Sequence, residues 1–414
     1  MAIISKEPLQ TLRITEFRNL MGGRFLLVLS FRMLATLLGW WIFDLTKDPL
    51  AIGMIGLSEV IPAVSSALYA GHVIDNAEKK RLLLICNYAY VILVGVLAFL
   101  AFFEQQTNFF DNREITWLIY GVIFFTGICR AFLGPVIPTM IPKIVGLQSL
   151  PSAITLNQAA FLGASVSGHA LGGFFIHWFG ITQTLQIIVV IMVTASLFFW
   201  RLCRHPSENT GKKAGLRESF SEGINYIYKT KEILGALLLD MFAVLFGGAV
   251  AMIPVFAADI LKVGSDGFGL LNAAADIGAT IVIITLGFIP LRKNQGRILI
   301  AVVIGFGLCI IGFGLSKMSW LSFIFLVLSG MLDGISVVIR GTIVQLKTPE
   351  HIRGRVLSVN SMFVMSSNEL GQFESGVAAK LLGVVRSVVV GGCLTLLIGI
   401  IVGTTNKKLR EMEY

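Results

Sequence analysis

Charge is scarce in this chain. Asp, Glu, Lys and Arg make up 14 % of its 414 residues, against about 25 % in ordinary soluble domains. Apolar side chains make up 55 %, with 43 glycines besides, and the mean hydropathy is +0.82. So few polar groups do not cover a soluble globule of this length, so lipid is the solvent for most of the chain. The same numbers exclude a disordered chain, a disulfide scaffold and a fibrous repeat. Cysteine is also scarce: Cys86, Cys129, Cys203, Cys309 and Cys393 lie in or beside apolar runs and form no CxxC pair. They read as small apolar packing residues.

Catalytic signatures are missing. No GxxxxGK(S/T) loop stands for ATP hydrolysis, no GxSxG or HExxH motif for hydrolytic chemistry, and no His, Cys and Asp spacing for a metal. The expectation is a protein that is not an enzyme and needs no cofactor. Residues 1–21 hold Lys6, Glu7, Arg13, Glu16 and Arg18 without an unbroken apolar core. That is unlike a cleavable signal peptide, so the first apolar run is expected to stay as a membrane helix.

What the chain does have is long apolar runs. A membrane helix needs about 20 mostly apolar residues. Twelve such runs stand at 22–46, 50–71, 82–103, 114–141, 151–178, 181–201, 233–258, 268–290, 298–316, 319–346, 354–382 and 384–404. The longest break, 202–232, contains His205-Pro206-Ser207-Glu208-Asn209-Thr210-Gly211. Leu216, Phe220, Ile224 and Ile227 follow at helical spacing, which predicts an amphipathic helix on the membrane surface. The division is therefore 1–201, a linker over 202–232, and 233–414. The net charge of +9 belongs with the loops rather than with nucleic acid. With the N-terminus inside, 24 of the 33 Lys and Arg fall on the cytoplasmic side and 6 outside, leaving Arg32, Arg130 and Arg340 within spans. This bias predicts cytoplasmic termini.

The two groups of six spans resemble each other. Arg32-Met33-Leu34-Ala35-Thr36-Leu37-Leu38-Gly39 lies over Asp240-Met241-Phe242-Ala243-Val244-Leu245-Phe246-Gly247. Gly71 and Arg81 match Gly287 and Arg297, Gly127 to Arg130 match Gly330 to Asp333, and Gly168 and Gly180 match Gly371 and Gly383. Their consistent order implies duplication, as in many secondary transporters. The first group carries Arg32 and Arg130 where the second carries Asp240 and Asp333.

Gly71-His72-Val73-Ile74-Asp75-Asn76-Ala77-Glu78-Lys79-Lys80-Arg81 resembles the GxxxD(R/K)xxRK loop of the major facilitator superfamily. Arg130 with Gly134 is similar to its RxxxG motif. Gly168-His169-Ala170-Leu171-Gly172-Gly173 is similar to the antiporter GPxxGG motif, with His169 in place of proline. Pro349 to Ser358, Ser367-Asn368-Glu369-Leu370-Gly371, Glu374-Ser375-Gly376 and Gly391-Gly392 resemble the bacterial exporter branch of the enterobactin-exporter and macrolide-efflux type. The resemblance implies an all-α membrane protein with twelve transmembrane helices in two pseudo-symmetric six-helix bundles. It implies a monomer in the bacterial inner membrane that exports a small organic molecule by alternating access, with protons as coupling ion and lipids as surroundings. A lipid or lysophospholipid flippase on the same fold is the alternative, and a membrane protein that does not transport is the less favoured one. Gly71, Asp75, Lys79, Lys80 and Arg81 would form a gating loop.

Charges within spans are costly and mark paired or functional sites. The candidates for substrate or proton are Arg32, Glu59, Arg130, His169, Asp240, Asp276, Asp333, Glu369 and Glu374. The inversion between the halves suggests that, with the cytoplasmic side closed, Arg32 faces Asp240 and Arg130 faces Asp333 or another carboxylate of the tenth or eleventh span. Asp333 and Arg340 are seven residues apart, two turns along one helix face. Arg340, near a helix end, is expected to snorkel.

Overall fold

The computed structural model describes every residue except 1–10, 108, 147, 205–215, 290, 292, 350–351 and 414. The side chains of 67–68, 71–72, 75–76 and 216–220 are likewise outside the described set. The expectations on Lys6, Glu7, His205 to Gly211, Glu350 and His351 therefore fall outside the described residues, as do those on the side chains of Gly71, His72, Asp75, Asn76, Leu216 and Phe220.

Among the described residues the structure is helical throughout. The spans are α1 (Thr15–Thr46), α2 (Pro49–Asn76), α3 (Lys79–Thr107) and α4 (Asn112–Val145), followed by a continuous run over Leu150–Trp200. That run is two helices, α5 (150–179) and α6 (181–200), which meet at Gly180 with φ 79° and ψ 179°. A short helix, α7 (Leu216–Lys229), precedes the second group of spans. These are α8 (Lys231–Phe246), α9 (Gly264–Phe288), α10 (Gln295–Leu315), α11 (Ser319–Lys347), α12 (Arg353–Leu382) and α13 (Val384–Thr405). The span begun by α8 continues through a 3₁₀ turn, Ala249–Met252, and a π turn, Phe256–Ile260.

Ten of these segments are long and apolar enough to cross a membrane by length and composition. Counting both arms of the bent run and the more polar α12, the described residues supply the twelve helices of the expected fold. Helix is the way such segments satisfy their backbone groups in lipid without a partner strand. Serines and threonines inside them return their hydroxyls to carbonyls one turn back, as Ser30 does to Leu26 and Thr194 to Val190.

By its contacts the chain divides into two units. Unit one holds α1 as far as Trp41 and the chain from Ile61 to the end of α6. Unit two holds Ile42–Val60 and the chain from α7 onward.

The duplication read from sequence has a backbone signature. Gly180 and Gly383, matched by the repeat, both have positive φ, 79° and 83°. Each ends one span and starts the next without a loop, in a conformation that side chains disfavour. Lys47 and Lys262, at the α1–α2 and α8–α9 turns, also share positive φ, 49° and 53°. Lysine carries no signal for that conformation, so this second match is invisible in the sequence.

Close contacts repeat as well. In unit one, a Cβ at Gly168 or Gly172 would strike Leu29, Arg32, Met33 and Thr36 of α1. In unit two, a Cβ at Gly371 would strike Val244 and Leu245 of α8. The GxxxG pair Gly330 and Gly334 seats α11 on Ala275 and Ala279 of α9.

The helix α7 differs from expectation. Its Ile227 is buried with Ile352, Val356 and Val359, and Ile224 and Tyr226 pack beside it. Glu222 is ion-paired with Arg355 of α12, and the Tyr226 hydroxyl donates to the Lys347 carbonyl. The apolar face that the sequence assigns to lipid is thus taken, over its described part, by unit two.

Candidate functional site

Unit two contains a buried ion cluster. Asp240 on α8 is paired with the Arg340 guanidinium on α11, and both side chains are only 7 % exposed. The second guanidinium nitrogen of Arg340 lies 3.8 Å from Asp333, which is more open, at 44 % exposed. Arg340 Nε also donates to Ser336, to its Oγ at 3.1 Å and its carbonyl at 3.3 Å. The seven-residue spacing of Asp333 and Arg340 puts both on one side of α11. Ser336, one turn before Arg340, aims the guanidinium.

One expectation from the sequence gives way to this geometry. Arg340 does not snorkel: a buried carboxylate holds it inside the protein. Asp240 has this partner within its own unit because α8 and α11 bring positions 240 and 340 together directly. A narrow cleft lined by Asp240, Asp333, Ser336, Val244, Phe306 and Leu332 leads to the cluster. One arginine thus serves two carboxylates. Asp276 stands half-buried on α9.

On α12, Glu369 is buried and accepts a hydrogen bond from Gln372 at 3.0 Å. Glu374 is half-buried on the same helix. This helix meets the Ile42–Val60 segment within unit two. The Gly376 Cα lies 3.0 Å from where a Gly53 Cβ would sit, and Gly56 faces the Glu369 carbonyl more closely still. Lys380 is 2.7 Å from Asp48, whose other oxygen caps the Leu50 amide. Glu59 lies on α2 one turn beyond this seam. Gly248, just past the end of α8, abuts Ser375 and Gly371. The backbone leaves α-helical geometry there, as helices often do at functional sites.

In unit one, His169 Nδ1 shares a 2.8 Å hydrogen bond with Thr36 Oγ1. This ties α5 to α1 where glycine permits close approach. Arg32 stands over the Phe161 ring at 5.8 Å, and so does Arg24. The sequence places Arg24 among the cytoplasmic charges, yet its Nε is buried without a hydrogen-bond partner. Arg130 lies half-buried on α4. At the α2–α3 junction Lys79 is buried, Lys80 donates to the Leu202 carbonyl at 2.5 Å, and Arg81 is exposed. Gly71 and Asp75 fall in the last turns of α2. Phe161, Ser336 and the Asp48–Lys380 pair carry no sequence signal, because each acquires meaning only from its neighbour on another element or turn.

The site therefore consists of membrane-embedded ion pairs and glycine contacts, which suit transport. Residues 7–414 match the family described as transmembrane secretion effector. The MFS-type transporter YkuC of Bacillus subtilis (strain 168) is 25 % identical over 335 residues, covering 75 % of this chain and 73 % of YkuC. The enterobactin exporter EntS of Escherichia coli O1:K1 / APEC is 22 % identical over 398 residues, covering 96 % of this chain and 93 % of EntS. Among solved structures, the D-xylose-proton symporter superposes with a TM-score of 0.72 at 12 % identity, covering 98 % of this chain and 99 % of the symporter. The nucleoside transporter NupG gives 0.68 at 17 % identity, covering 94 % of this chain and 99 % of NupG. At such identities the structural likeness speaks for the fold alone. The chain is a multi-pass membrane transporter that belongs to the transmembrane secretion effector family of the major facilitator superfamily.

Proposed function

We propose that this protein exports a small organic molecule across a bacterial inner membrane by proton-coupled alternating access. Its functional halves are 1–201 and 233–414, joined by 202–232, and both termini are cytoplasmic. The observation that carries the reading is the Asp240–Arg340–Asp333 cluster on two membrane helices of unit two. A buried ion pair within lipid is retained against a desolvation cost of several kcal/mol per ion, and such groups mark ion or proton pathways. Protonation of Asp240 removes one arm of the pair. Arg340 then turns to Asp333, and the balance between the two access states shifts. The likeness in sequence to an enterobactin exporter supports outward movement of a small organic molecule. Glu369, Glu374, Glu59 and Asp276 supply further carboxylates in unit two. Asp75 is proposed to brace the gating loop.

The test pairs phenotype with topology. A deletion strain grown across a toxin panel, with its extracellular metabolites profiled, should lose one exported compound or gain sensitivity to one toxin. Single cysteines at 212 and 408 should label from the cytoplasm, and at 264 from outside. External labelling at 212 would overturn the orientation.

A further inference from the structure

We propose that unit one carries an organic-anion site built from Arg24 and Arg32 on α1 and positioned by Phe161 on α5. This rests on the transport reading above and names the class of molecule bound. Unit one lacks acidic side chains where it is membrane-embedded. Residues 19–41, 61–74, 82–103, 115–142 and 150–200, its membrane segments short of their ends, contain no Asp or Glu. They contain Arg24, Arg32 and Arg130. The candidate carboxylates of the membrane interior are Glu59, Asp240, Asp276, Asp333, Glu369 and Glu374, all in unit two.

A guanidinium stays charged under any physiological condition and does not escape its burial by losing a proton. It needs a counter-charge. Among the described residues, Arg24 and Arg32 have ring contacts with Phe161 and no carboxylate partner. Arg24 goes further: its Nε is buried with its hydrogen unused. Arg340 shows the contrast. It is buried in a span, whereas Arg24 and Arg32 are half-buried, and it spends its donors on Asp240, Asp333 and Ser336.

The geometry keeps the two arginines together. They are eight residues apart on α1, about 12 Å along the axis. Each guanidinium carbon nevertheless lies 5.8 Å from the centroid of the same ring. The negative faces of that ring hold both cations off their snorkelling paths. Gly168 brings α5 against the Arg32 Cβ, so the ring and the cations are fixed by one helix contact. Phe161 is thus a positioning residue. The guanidinium edges, with parallel N–H donors, fit a carboxylate or a comparable oxyanion. In this arrangement unit one takes the anion and unit two takes the proton.

The experiment uses three probes with one apolar body and different charge: 1-naphthoate, 1-naphthylmethylammonium and 1-naphthalenemethanol. Each is titrated into the purified full-length protein in neutral detergent, with no ion gradient, and binding is read from tryptophan fluorescence and melting temperature. Naphthoate should bind at least tenfold more tightly than the cation or the alcohol. Arg24→Gln with Arg32→Gln should abolish that preference, while Arg32→Lys keeps part of it. Phosphatidylglycerol added to the micelles should leave naphthoate binding intact. The absence of a preference for naphthoate in the unaltered protein overturns the proposal, and that arm does not depend on any variant folding. Displacement of naphthoate by phosphatidylglycerol also overturns it, because the site would then belong to lipid. Proton coupling can fail independently, since no gradient enters this measurement.

Discussion

Asp240 and Arg340, on two membrane helices of the same unit, form a buried ion pair, and Asp333 stands ready as the arginine's second partner. The arrangement is asymmetric: two carboxylates share one cation. Removing the cation and removing one carboxylate should therefore have unequal effects.

Arg340→Gln leaves Asp240 buried without a counter-charge, which typically costs about 3–5 kcal/mol. Asp240→Asn leaves Arg340 its contact with Asp333 and should cost clearly less. Combining the two should restore much of the stability lost in Arg340→Gln. Melting of the purified variants in detergent checks this order. Equal losses for the two single variants would mean that Asp333 does not serve as the alternative partner.

Gly180 and Gly383 hold tight helix junctions in a conformation that side chains avoid. Alanine at either position should cost about 1–3 kcal/mol. Gly121, in the interior of α4 with open space where a Cβ would sit, is the control. Alanine there should stabilise by about 0.5–1 kcal/mol through helix propensity. Thermal melting of the three variants separates backbone strain from loss of packing. Similar behaviour of all three would remove the conformational explanation.

The seam of Gly53 and Gly56 against α12 leaves no space for side chains, and Asp48–Lys380 closes its end. If this contact opens and closes during transport, a cysteine pair at 48 and 380 should cross-link on oxidation and arrest transport, and reduction should restore it. Gly53→Val should impair transport while expression stays near normal. A cross-linked protein that transports at full rate would show the seam to be static.

Much of this organisation is legible in the sequence. Apolar runs between charged breaks place the spans, because lipid permits only helices of sufficient length. Gly180 and Gly383 align as repeat partners without any backbone angle. Asp333 and Arg340 share a face by their spacing alone. The Asp240–Arg340 pair is not legible: a hundred residues separate its members, and the repeat draws attention to Arg32 instead. Nor is Phe161, one phenylalanine among 30, whose place is defined only by the two arginines over its ring. Periodicity places a residue on a helix face, but the partner on that face is set by how helices pack. The path of α7 illustrates the same limit, since an apolar stripe suits lipid and a protein groove equally well.

The central claim, that protons moving through the Asp240 cluster drive export, is tested most directly in proteoliposomes. Once profiling has supplied an exported compound, its transport is followed with a pH gradient imposed, with that gradient dissipated, and with sodium replaced by potassium. Accumulation is predicted to require the pH gradient, to ignore sodium, and to lose its pH dependence in Asp240→Asn. Accumulation that persists without any gradient, or an unchanged pH profile in Asp240→Asn, would contradict the claim.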